Sequence, residues 1–308
     1  MSAKSKILFI VNPISGIGKQ KKIEKAVETL LDKDKFDYQI RYTSYSHHAT
    51  AISLAAVLNG FDIVVAVGGD GSINDCVKGL VSTDVSLAII PTGSGNGLAR
   101  CLNIPLSVED AIRTINSLKT TKIDCIRLNE NIYASIAGVG FDALIAKEFE
   151  KTHTRGFQPY LKLVIQNYPQ YKQHTYNLTI DGKQIETQAL FISFANSNQF
   201  GFNTEIAPKA SLEDGLIDVI IVKKPPLPML PLMAQQLFLH NFDRSMYVET
   251  YQAREIILHN DSAIGVNIDG EYKEYTSDLY FDIIPKSLNI IIPWKQGIQP
   301  RNQEPLKP

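Results

Sequence analysis

Two glycine-rich turns, each directly after a run of apolar residues, constrain the fold of this chain more than any other feature. The first turn reads VGGDGSIN at residues 67–74, and the second reads IPTGSGNG at residues 90–97. A buried strand that runs into a glycine turn and then a helix is typical of an open parallel sheet, where ligands bind beyond the carboxyl ends of the strands. Glycines let a ligand approach the backbone, and the N–H groups at a helix start favour anions. We therefore expect a phosphate site, the alternative being turns that only bend the chain.

The surrounding residues alternate between strand-like and helix-like patterns up to about residue 125. The strand-like segments are 6–11, 38–43, 62–69 and 86–93, and the helix-like segments are 21–34, 47–60, 72–80 and 107–118. Ser72 is a plausible helix cap, and Ser107 with Asp110 fits a capping box. The alternation predicts a doubly wound parallel sheet, with an α/β nucleotide-binding domain at residues 1–125.

From about residue 123 the pattern changes to short strands separated by turn residues. Asp-Gly pairs at 181–182, 214–215 and 269–270 stand where tight turns would fall, and helix-like patterns occur at 141–151 and near 228–242. The fold class is therefore α/β plus all-β, with a β-sandwich or barrel at residues 126–294 as the substrate domain. The polar tail, residues 295–308, is either frayed or packed back on the first domain.

Composition and charge exclude several classes of function. Lys and Arg total 31 against 32 Asp and Glu, so the chain lacks the basic surface that sequence-independent nucleic-acid binding needs, and we expect no nucleic-acid partner. The three cysteines form no CxxC pair, which favours buried thiols in a reducing compartment. No apolar run approaches the ~18 residues of a membrane span, so we expect a cytoplasmic protein that meets a membrane only from outside the bilayer.

Polar residues in three turns could carry phosphate chemistry. Asp70 sits among Gly68, Gly69 and Gly71, where a carboxylate beside a phosphate makes sense if a divalent cation lies between them. The second turn adds donors from Thr92, Gly93, Ser94, Gly95 and Asn96, and a third turn, VNPISGIGK, offers Asn12, Ser15, Gly16 and Lys19. No turn has the full Walker or dinucleotide pattern, so neither of those folds is expected.

Acidic residues of the second half have a functional interpretation and a purely structural one. Asp269 and Glu271, in VNIDGEYKE, would share one face of a strand if the segment is extended, and one could take a proton from a substrate hydroxyl. The alternative is a hairpin with solvated acids. The Asp-Gly turn in PKASLEDGLIDV carries Asp214 and could hold a hard cation, or it is a plain turn.

Two further segments are less informative. His47 and His48 stand at a predicted helix start with no third metal-ligand candidate nearby in the sequence, so a cap or a surface position is expected. The apolar stretch 227–239 predicts a packed amphipathic helix, with a lipid-binding flap as the alternative.

These motifs together resemble the soluble bacterial diacylglycerol kinase family, which is related to the sphingosine and ceramide kinases. The resemblance covers nearly the whole chain, in the order NPISG at 12–16, Thr43 six residues before Ala49, GGDGSIN at 68–74, PTGSGNGLAR at 91–100, GVGFDA at 138–143, APKASLEDGLIDV at 207–219 and DGE at 269–271. GGDG alone also occurs in NAD kinases and phosphofructokinases. The motif PTGSGNGLA is more similar to the version found in the sphingosine and ceramide kinases. The class of the substrate lipid therefore stays open between diacylglycerol-like and sphingoid-like.

The resemblance implies an N-terminal domain of the NAD-kinase and phosphofructokinase type, a β-sandwich domain, and an active site in the cleft between them. It implies ATP and Mg²⁺ as cofactors. The residues that match the family's nucleotide site are Asn12, Pro13, Ser15, Gly16, Thr43, Gly68, Gly69, Asp70, Gly71, Ser72, Asn74 and Thr92. The glycine and hydroxyl pattern of the second turn adds Gly93, Ser94, Gly95 and Asn96 to this set.

The resemblance also assigns chemical roles. It implies Glu271 as the proton acceptor with Asp269 beside it, and Asp70 as the organiser of the catalytic magnesium, with a general-base role for Asp70 as the rival view. Ser211, Asp214 and Leu216 match a structural magnesium site, in which two of the three bind through backbone carbonyls.

The leading hypothesis is thus an ATP- and magnesium-dependent lipid kinase that associates transiently with a membrane surface. A NAD or other polar-substrate kinase of the same fold is the alternative within enzymes. A catalytically silent lipid or nucleotide sensor is the alternative outside them. Whether the protein forms a homodimer stays open.

Overall fold

Four parallel strands form the centre of the N-terminal half. A computed structural model describes residues 4–15, 20–152 and 156–294 of the chain. The strands lie in the order β2-β1-β3-β4, with β1 at Ser5–Val11, β2 at Phe36–Tyr42, β3 at Ile63–Gly68 and β4 at Ser86–Pro91. β3 is buried along its whole length, as expected where helices cover both faces of a parallel sheet.

Helices pack on both faces of these strands. α1 (Gln20–Leu30) and α5 (Val108–Ser117) cover one face, where they share an apolar cluster with Phe9 and Val65. α2 (His48–Leu58) and α3 (Asp70–Leu80) cover the other, against Leu8 and Val64. The short helix α4 (Gly97–Cys101) follows β4. The doubly wound α/β arrangement that the sequence predicted is confirmed.

The sheet continues beyond β4 through strands of the C-terminal half. The long strand β18 (Leu279–Ile291) lies beside β4, and it pairs antiparallel with β5 (Thr120–Leu128). Next come β15 (Glu255–His259), β8 (His174–Ile180) and β9 (Lys183–Ala189), while β6 (Asn131–Tyr133) pairs with β5. The last strand of the chain thus ties the two halves together. The predicted boundary between residues 125 and 126 falls inside β5, and the division into domains stays a prediction.

A second, antiparallel sheet packs on this extension. Its order is β14-β13-β10-β7-β16-β17, and its strands are β7 (Ile136–Gly140), β10 (Phe191–Ala195), β13 (Ile217–Val222), β14 (Val248–Ala253), β16 (Ile264–Ile268) and β17 (Glu271–Tyr275). The rings of Phe194 and Phe281, one from each sheet, stack at 3.9 Å within a shared apolar core. This face-to-face packing confirms the predicted β-sandwich. A small hairpin, β11 (Gln199–Gly201) and β12 (Thr204–Glu205), lies apart from both sheets.

Three helices accompany the sandwich. α6 (Phe141–Glu150) matches the prediction, and α8 (Leu230–Phe238) occupies part of the stretch predicted near 228–242, flanked by short 3-10 turns at Leu227–Met229 and Phe242–Arg244. α7 (Phe157–Asn167) is a helix that the sequence analysis missed. Among the described residues, no helix is long and apolar enough to cross a membrane.

The turns and caps confirm some local predictions and correct others. Asp181 and Asp269 have positive φ and begin the two-residue hairpin turns β8–β9 and β16–β17, whereas the Asp214-Gly215 pair lies in a loop before β13. Ser107 caps α5 by accepting the Asp110 N–H at 3.1 Å, as predicted. The prediction of Ser72 as a cap is wrong, because α3 begins at Asp70 with Gly69 at the N-cap. The 295–308 tail lies outside the described residues.

Candidate active site

The three glycine and hydroxyl turns meet at the carboxyl ends of β1, β3 and β4. The Asn12 amide donates to Ser72 Oγ at 2.9 Å, which joins the turn after β1 to the start of α3. The hydroxyls of Ser15 and Thr92 lie 2.9 Å apart, and the Thr92 N–H donates to the Gly68 carbonyl at 2.9 Å. Residues far apart in sequence therefore line one edge of the sheet, as the strand order requires.

Glycine is required where two of these turns touch. A Cβ on Gly93 would lie 2.6 Å from the Gly69 Cα and 2.9 Å from Asn96 Oδ1, so a larger residue would force the turns apart. A Cβ on Gly95 would lie 2.8 Å from Asp70 Oδ2. Because these positions are glycine, the backbones of the two predicted phosphate turns can lie in direct contact.

The Asp70 carboxylate links the turns electrostatically. Its Oδ2 accepts the Asn96 N–H at 2.9 Å and its Oδ1 accepts the Gly97 N–H at 2.7 Å, so it sits at the N-terminus of α4. Burial raises the pKa of Asp70, which these backbone hydrogen bonds and the Arg100 guanidinium oppose. Arg100 also donates through Nε to the Gly95 carbonyl at 3.1 Å.

The β16–β17 hairpin brings the two acids of the β-sandwich to this edge. Asp269 stands in the turn with φ 48°, and Glu271 begins β17. The condition for a shared strand face is therefore not met, because the Asp-Gly pair turns the chain between the two acids, as in the hairpin alternative. Asp269 Oδ1 accepts the Ile136 N–H at 2.8 Å, which fixes its carboxylate inside the protein.

Both acids contact residues of α3. With its amide oriented to satisfy its neighbours, Asn74 donates to Asp269 Oδ2 at 3.3 Å. Glu271 lies over the start of the same helix, where a Cβ on Gly71 would be 3.2 Å from Glu271 Oε1. A small cavity of about 10 Å³, lined in part by Asp70, Asn74 and Asp269, separates the acids of the two halves. It has room for about one water-sized particle.

Burial makes these carboxylates unusually basic. Burial, and then the charge of Asp70, raises the pKa of Asp269 to about 7 against the hydrogen bond from Ile136. Burial also raises the pKa of Glu271, while the ammonium of Lys78 opposes that rise. Strongly perturbed acids that face each other across a cleft are typical of functional sites.

A charged cluster around Glu271 was missed by the sequence analysis. Lys78 Nζ lies 3.8 Å from Glu271 Oε2 and 3.7 Å from Asp75 Oδ1. His47, which has φ 61°, places its Nδ1 3.0 Å from Asp75 Oδ1. Residues of α3 and β17 therefore supply the further partners that a metal or charge cluster at His47 would need. The signal was the spacing of Asn74, Asp75 and Lys78, which interrupt the apolar residues of α3 at helical intervals.

The other predicted nucleotide residues that the structure describes border the same edge. Thr43 follows β2, and its N–H donates to the Val11 carbonyl at 3.0 Å. Ser94 is exposed at the tip of its turn, and Asn96 is buried, with φ 53° and its amide donating to the Gly93 carbonyl at 2.8 Å. Pro13 lies in the exposed turn after β1. Gly16 falls outside the described residues.

The predicted structural metal residues lie in the loop before β13. The Leu216 N–H donates to Asp214 Oδ1 at 3.0 Å, and the Glu213 N–H donates to Ser211 Oγ at 3.3 Å. Burial, together with the charge of Asp124, raises the pKa of Asp214. Asp124, which the sequence analysis missed, anchors this loop by accepting the Gly215 N–H at 2.7 Å.

Apolar side chains border the site on its other flank. The backbone of Phe202 donates to the Gly95 carbonyl at 3.3 Å, and its ring lies 5.4 Å from that of Phe157 at the start of α7. Phe157 in turn contacts Phe238 of α8 at 6.1 Å. The exposed large apolar side chains on and next to these two helices are Leu161, Ile165, Leu227, Leu232, Phe238 and Leu239.

Glycine-rich turns at one edge of a parallel sheet thus face acidic residues of an antiparallel β-sandwich, so the chain joins an α/β half to a β-sandwich half. The family model for the diacylglycerol kinase catalytic domain matches residues 6–128. The family model for the YegS C-terminal NAD kinase beta sandwich-like domain matches residues 135–292, half of the chain. The chain therefore belongs to the diacylglycerol kinase family, and it is a lipid kinase.

Curated relatives match most of the chain. The chain is 28% identical to a diacylglycerol kinase of Bacillus subtilis over 270 residues, which cover 86% of this chain and 89% of that one. It is 26% identical over 277 residues to a diacylglycerol kinase of Staphylococcus aureus, covering 88% and 87%.

Solved structures agree in fold. A crystal structure of a diacylglycerol kinase from Bacillus anthracis superposes with a TM-score of 0.72 at 19% identity, covering 95% of this chain and 98% of that one. A second structure from the same organism gives a TM-score of 0.80 at 22% identity with the same coverage.

Proposed function

We propose that this protein transfers the γ-phosphoryl group of ATP, with Mg²⁺, to a hydroxyl of a long-chain lipid. The observation that carries the proposal is that acids of the β-sandwich half lie against the glycine turns and α3 of the α/β half. The glycine turns of the α/β half lie at one edge, and the β16–β17 hairpin brings Asp269 and Glu271 against α3 at that same edge. A phosphoryl donor held by the first half would thus face the acids of the second.

The triphosphate would lie along the three turns. Asn12, Ser15 and Thr92 supply amide and hydroxyl groups, and Gly68–Gly71 and Gly93–Gly95 supply backbone that a phosphate can approach closely. The remaining nucleotide residues that we propose are Pro13, Gly16, Thr43, Ser72, Asn74 and Asn96. Positioning and charge stabilisation are most of what phosphoryl transfer asks of a protein.

The donor set fits magnesium in two places. Asp70 and Asp269 approach one small cavity, and each has a raised pKa, which a hard cation between them would relieve. At the second place Asp214 lies near the like charge of Asp124, so Asp214 with the carbonyls of Ser211 and Leu216 suits a structural ion. When bound, magnesium supplies positive charge against the phosphates.

Glu271 is the best-placed proton acceptor of the three acids. Both oxygens of Asp70 already accept backbone N–H groups, and Asp269 is held by Ile136 and Asn74. Glu271 keeps a long ion pair to Lys78 and a side chain 28% exposed. In the proposed step the lipid O–H proton passes to Glu271, the lipid oxygen bonds to the γ-phosphorus, and the bond from that phosphorus to the bridging oxygen breaks to release ADP.

The apolar flank supports a lipid substrate. α7, α8 and the turn before α8 expose large apolar side chains beside the turn that carries Gly95. Such a patch on a protein surface commonly marks a contact with a lipid or another protein. We propose that this flank rests transiently on a membrane while the lipid headgroup enters the cleft, as a peripheral contact of a cytoplasmic enzyme.

The test is phosphate transfer from γ-labelled ATP, with magnesium, to a lipid panel in mixed micelles. The panel holds diacylglycerol, monoacylglycerol, sphingosine, ceramide and phosphatidylglycerol, and the variants are Asp70→Ala and Glu271→Ala. A labelled lipid that is lost in both variants supports the proposal and identifies the substrate class. Transfer only to a polar acceptor such as NAD would favour the polar-substrate alternative. ATP binding with no transfer at all would favour the sensor.

A further inference from the structure

His47, Asp75 and Glu271 bring three metal-binding side chains together from three different elements. His47 stands at the start of α2, Asp75 lies on α3, and Glu271 begins β17. Ligand atoms of the three side chains all lie within 4.8 Å of one another. The His47 side chain caps no backbone N–H of α2, and its Nδ1 lies 3.0 Å from Asp75 Oδ1 instead. The proposed kinase reaction uses Glu271 and gives no role to His47 or Asp75.

We propose that these three side chains form an inhibitory site for a divalent transition-metal ion such as Zn²⁺. Imidazole and carboxylate groups are zinc ligands, and a site with three protein ligands keeps a fourth position for water. The inhibitory effect rests on the proposed function, in which Glu271 accepts the lipid proton. A bound ion draws the Glu271 carboxylate toward His47 and Asp75 and occupies an oxygen that the reaction needs.

The spacing of the ligand atoms suits an ion of this size. Tetrahedral ligands at about 2.1 Å from zinc lie roughly 3.4 Å from one another. The 3.0 Å separation of His47 Nδ1 and Asp75 Oδ1 is close to that value, and no separation in the group has to close by more than about 1.4 Å. The Glu271 side chain, which is 28% exposed, has the freedom to make this movement.

Two of the ligands are held on helices that pack closely. The Thr50 hydroxyl of α2 donates to the Asp75 carbonyl at 3.0 Å. Gly79 of α3 lies so near α2 that a Cβ there would be 2.9 Å from the Thr50 carbonyl. His47 and Asp75 therefore keep their relative places, as a preorganised metal site requires. The His47 side chain is 52% exposed, which gives the ion a path from solvent.

Lys78 is the cation that competes for the same carboxylates. Its Nζ lies 3.7 Å from Asp75 Oδ1 and 3.8 Å from Glu271 Oε2, and both distances are too long for hydrogen bonds. The ammonium stands on a flexible four-carbon stem, so it can swing away. Zinc carries two charges and bonds directly to all three ligands at about 2.0–2.2 Å, which the ammonium cannot do. Lys78 therefore balances the cluster without metal, and zinc displaces it.

Magnesium is a poor fit for this cluster. Mg²⁺ prefers oxygen ligands and keeps several of its waters. Zinc and the neighbouring late transition metals bind imidazole nitrogen well. The two proposed magnesium sites contain oxygen donors alone, whereas this cluster includes His47. Zinc can therefore bind here while magnesium serves the reaction.

The first experiment detects the ion directly, without lipid or ATP. Co²⁺, a spectroscopic substitute for zinc, is added stepwise to the full chain in excess Mg²⁺, and its visible absorption bands report the coordination. In His47→Ala we expect the affinity for Co²⁺ to fall at least about tenfold, since even an outer-shell partner of a metal ligand is worth that much. His48→Ala, whose ring stacks on Tyr45, is the matched control and should bind Co²⁺ as wild type does. Wild type without such bands, or equal affinity in His47→Ala, would overturn the inference.

The second experiment measures inhibition by Zn²⁺ at buffered concentrations, with saturating ATP and Mg²⁺. His47→Ala should keep the kcat that wild type has without zinc, and it should need at least about tenfold more Zn²⁺ for half inhibition. Equal inhibition of the two proteins would overturn the inference, because zinc would then act at another place, such as a magnesium site. Undiminished transfer at Zn²⁺ concentrations that displace the bound Co²⁺ would overturn the inhibitory role.

Failure of this inference and failure of the proposed function give different results. Co²⁺ binding is measured in the protein alone, so it tests the metal site whatever the reaction is. Full activity of Glu271→Gln without zinc would refute Glu271 as the proton acceptor, even where wild type binds Co²⁺ as expected.

Discussion

Gly71→Ala should separate the stability of the protein from its activity. Gly71 lies in the first turn of α3 with an ordinary backbone conformation, and the contact that an added Cβ would make within 4 Å is with Glu271 Oε1, at 3.2 Å. Alanine forms helices better than glycine, so the fold should gain up to about 0.5–1 kcal/mol, a Tm rise of about 1–3 °C for a chain of this size.

The same methyl group should impair the reaction. The contact is tighter than normal, so the Glu271 carboxylate has to move by a few tenths of an ångström. A 1 Å misplacement can cost about a hundredfold in rate, so we expect kcat to fall about tenfold. The assay is transfer of labelled phosphate to the accepted lipid, alongside thermal unfolding. A change in the KM for ATP would report separately on the phosphate turn.

Gly79→Ala is the matched control on the same helix. Its Cβ would lie 2.9 Å from the Thr50 carbonyl of α2, so it should cost about 1–3 kcal/mol of stability through overpacking. It lies away from Glu271, and the specific activity of the folded protein should stay near wild type. If Gly71→Ala kept kcat within twofold of wild type while folding normally, the placement of Glu271 in the site would be refuted.

Three further predictions concern pH, metal and membrane. Burial raises the pKa of Asp218 to about 7, so the folded protein binds a proton that the unfolded chain releases near pH 4. The free energy of unfolding should therefore fall as pH rises between these values. In denaturant titrations, Asp218→Asn should reduce this slope by up to about 1.4 kcal/mol per pH unit. An unchanged slope would contradict the raised pKa of Asp218. Chelation of divalent metal ions should lower the Tm of wild type but not of Asp214→Asn, and Glu213→Gln should respond as wild type does. An equal response in all three proteins would argue against a metal ion at the loop that carries Asp214. Ile165→Ser with Leu239→Ser should weaken sedimentation with phospholipid vesicles several-fold while the Tm stays near wild type; unaltered sedimentation would argue against docking through α7 and α8.

Much of the site could be predicted because its parts are local. A glycine turn after an apolar strand has few structural solutions, so the turns at Gly68–Gly71 and Gly93–Gly95 were visible in the sequence, and their binding of phosphate stays a prediction. The Asp269-Gly270 pair likewise predicted a tight turn, because both residues accept positive φ. The same turn explains why Asp269 and Glu271 have different surroundings, which the expectation of a continuous strand did not allow.

The missed features depend on contacts between distant segments. Lys78 and Asp75 meet Glu271 only because β17 is folded over α3, and His47 meets Asp75 only because α2 packs on α3. Helix α7 was missed because Pro159 lies in its first turn, where a helix tolerates proline but a local pattern suggests a break. The insertion of β18 between β4 and β15 is set by the tertiary fold, and nothing in its own residues predicts it.

Single-turnover phosphate transfer tests the central claim most directly. Enzyme preloaded with γ-labelled ATP and magnesium is mixed with lipid micelles, and wild type is compared with Glu271→Gln and with Glu274→Gln, an exposed acid on the same strand. We predict that label moves to lipid in wild type and Glu274→Gln, and that transfer in Glu271→Gln is at least about a hundredfold slower although ATP binds normally. Equal transfer rates in all three proteins, or label that never reaches a lipid, would contradict the account.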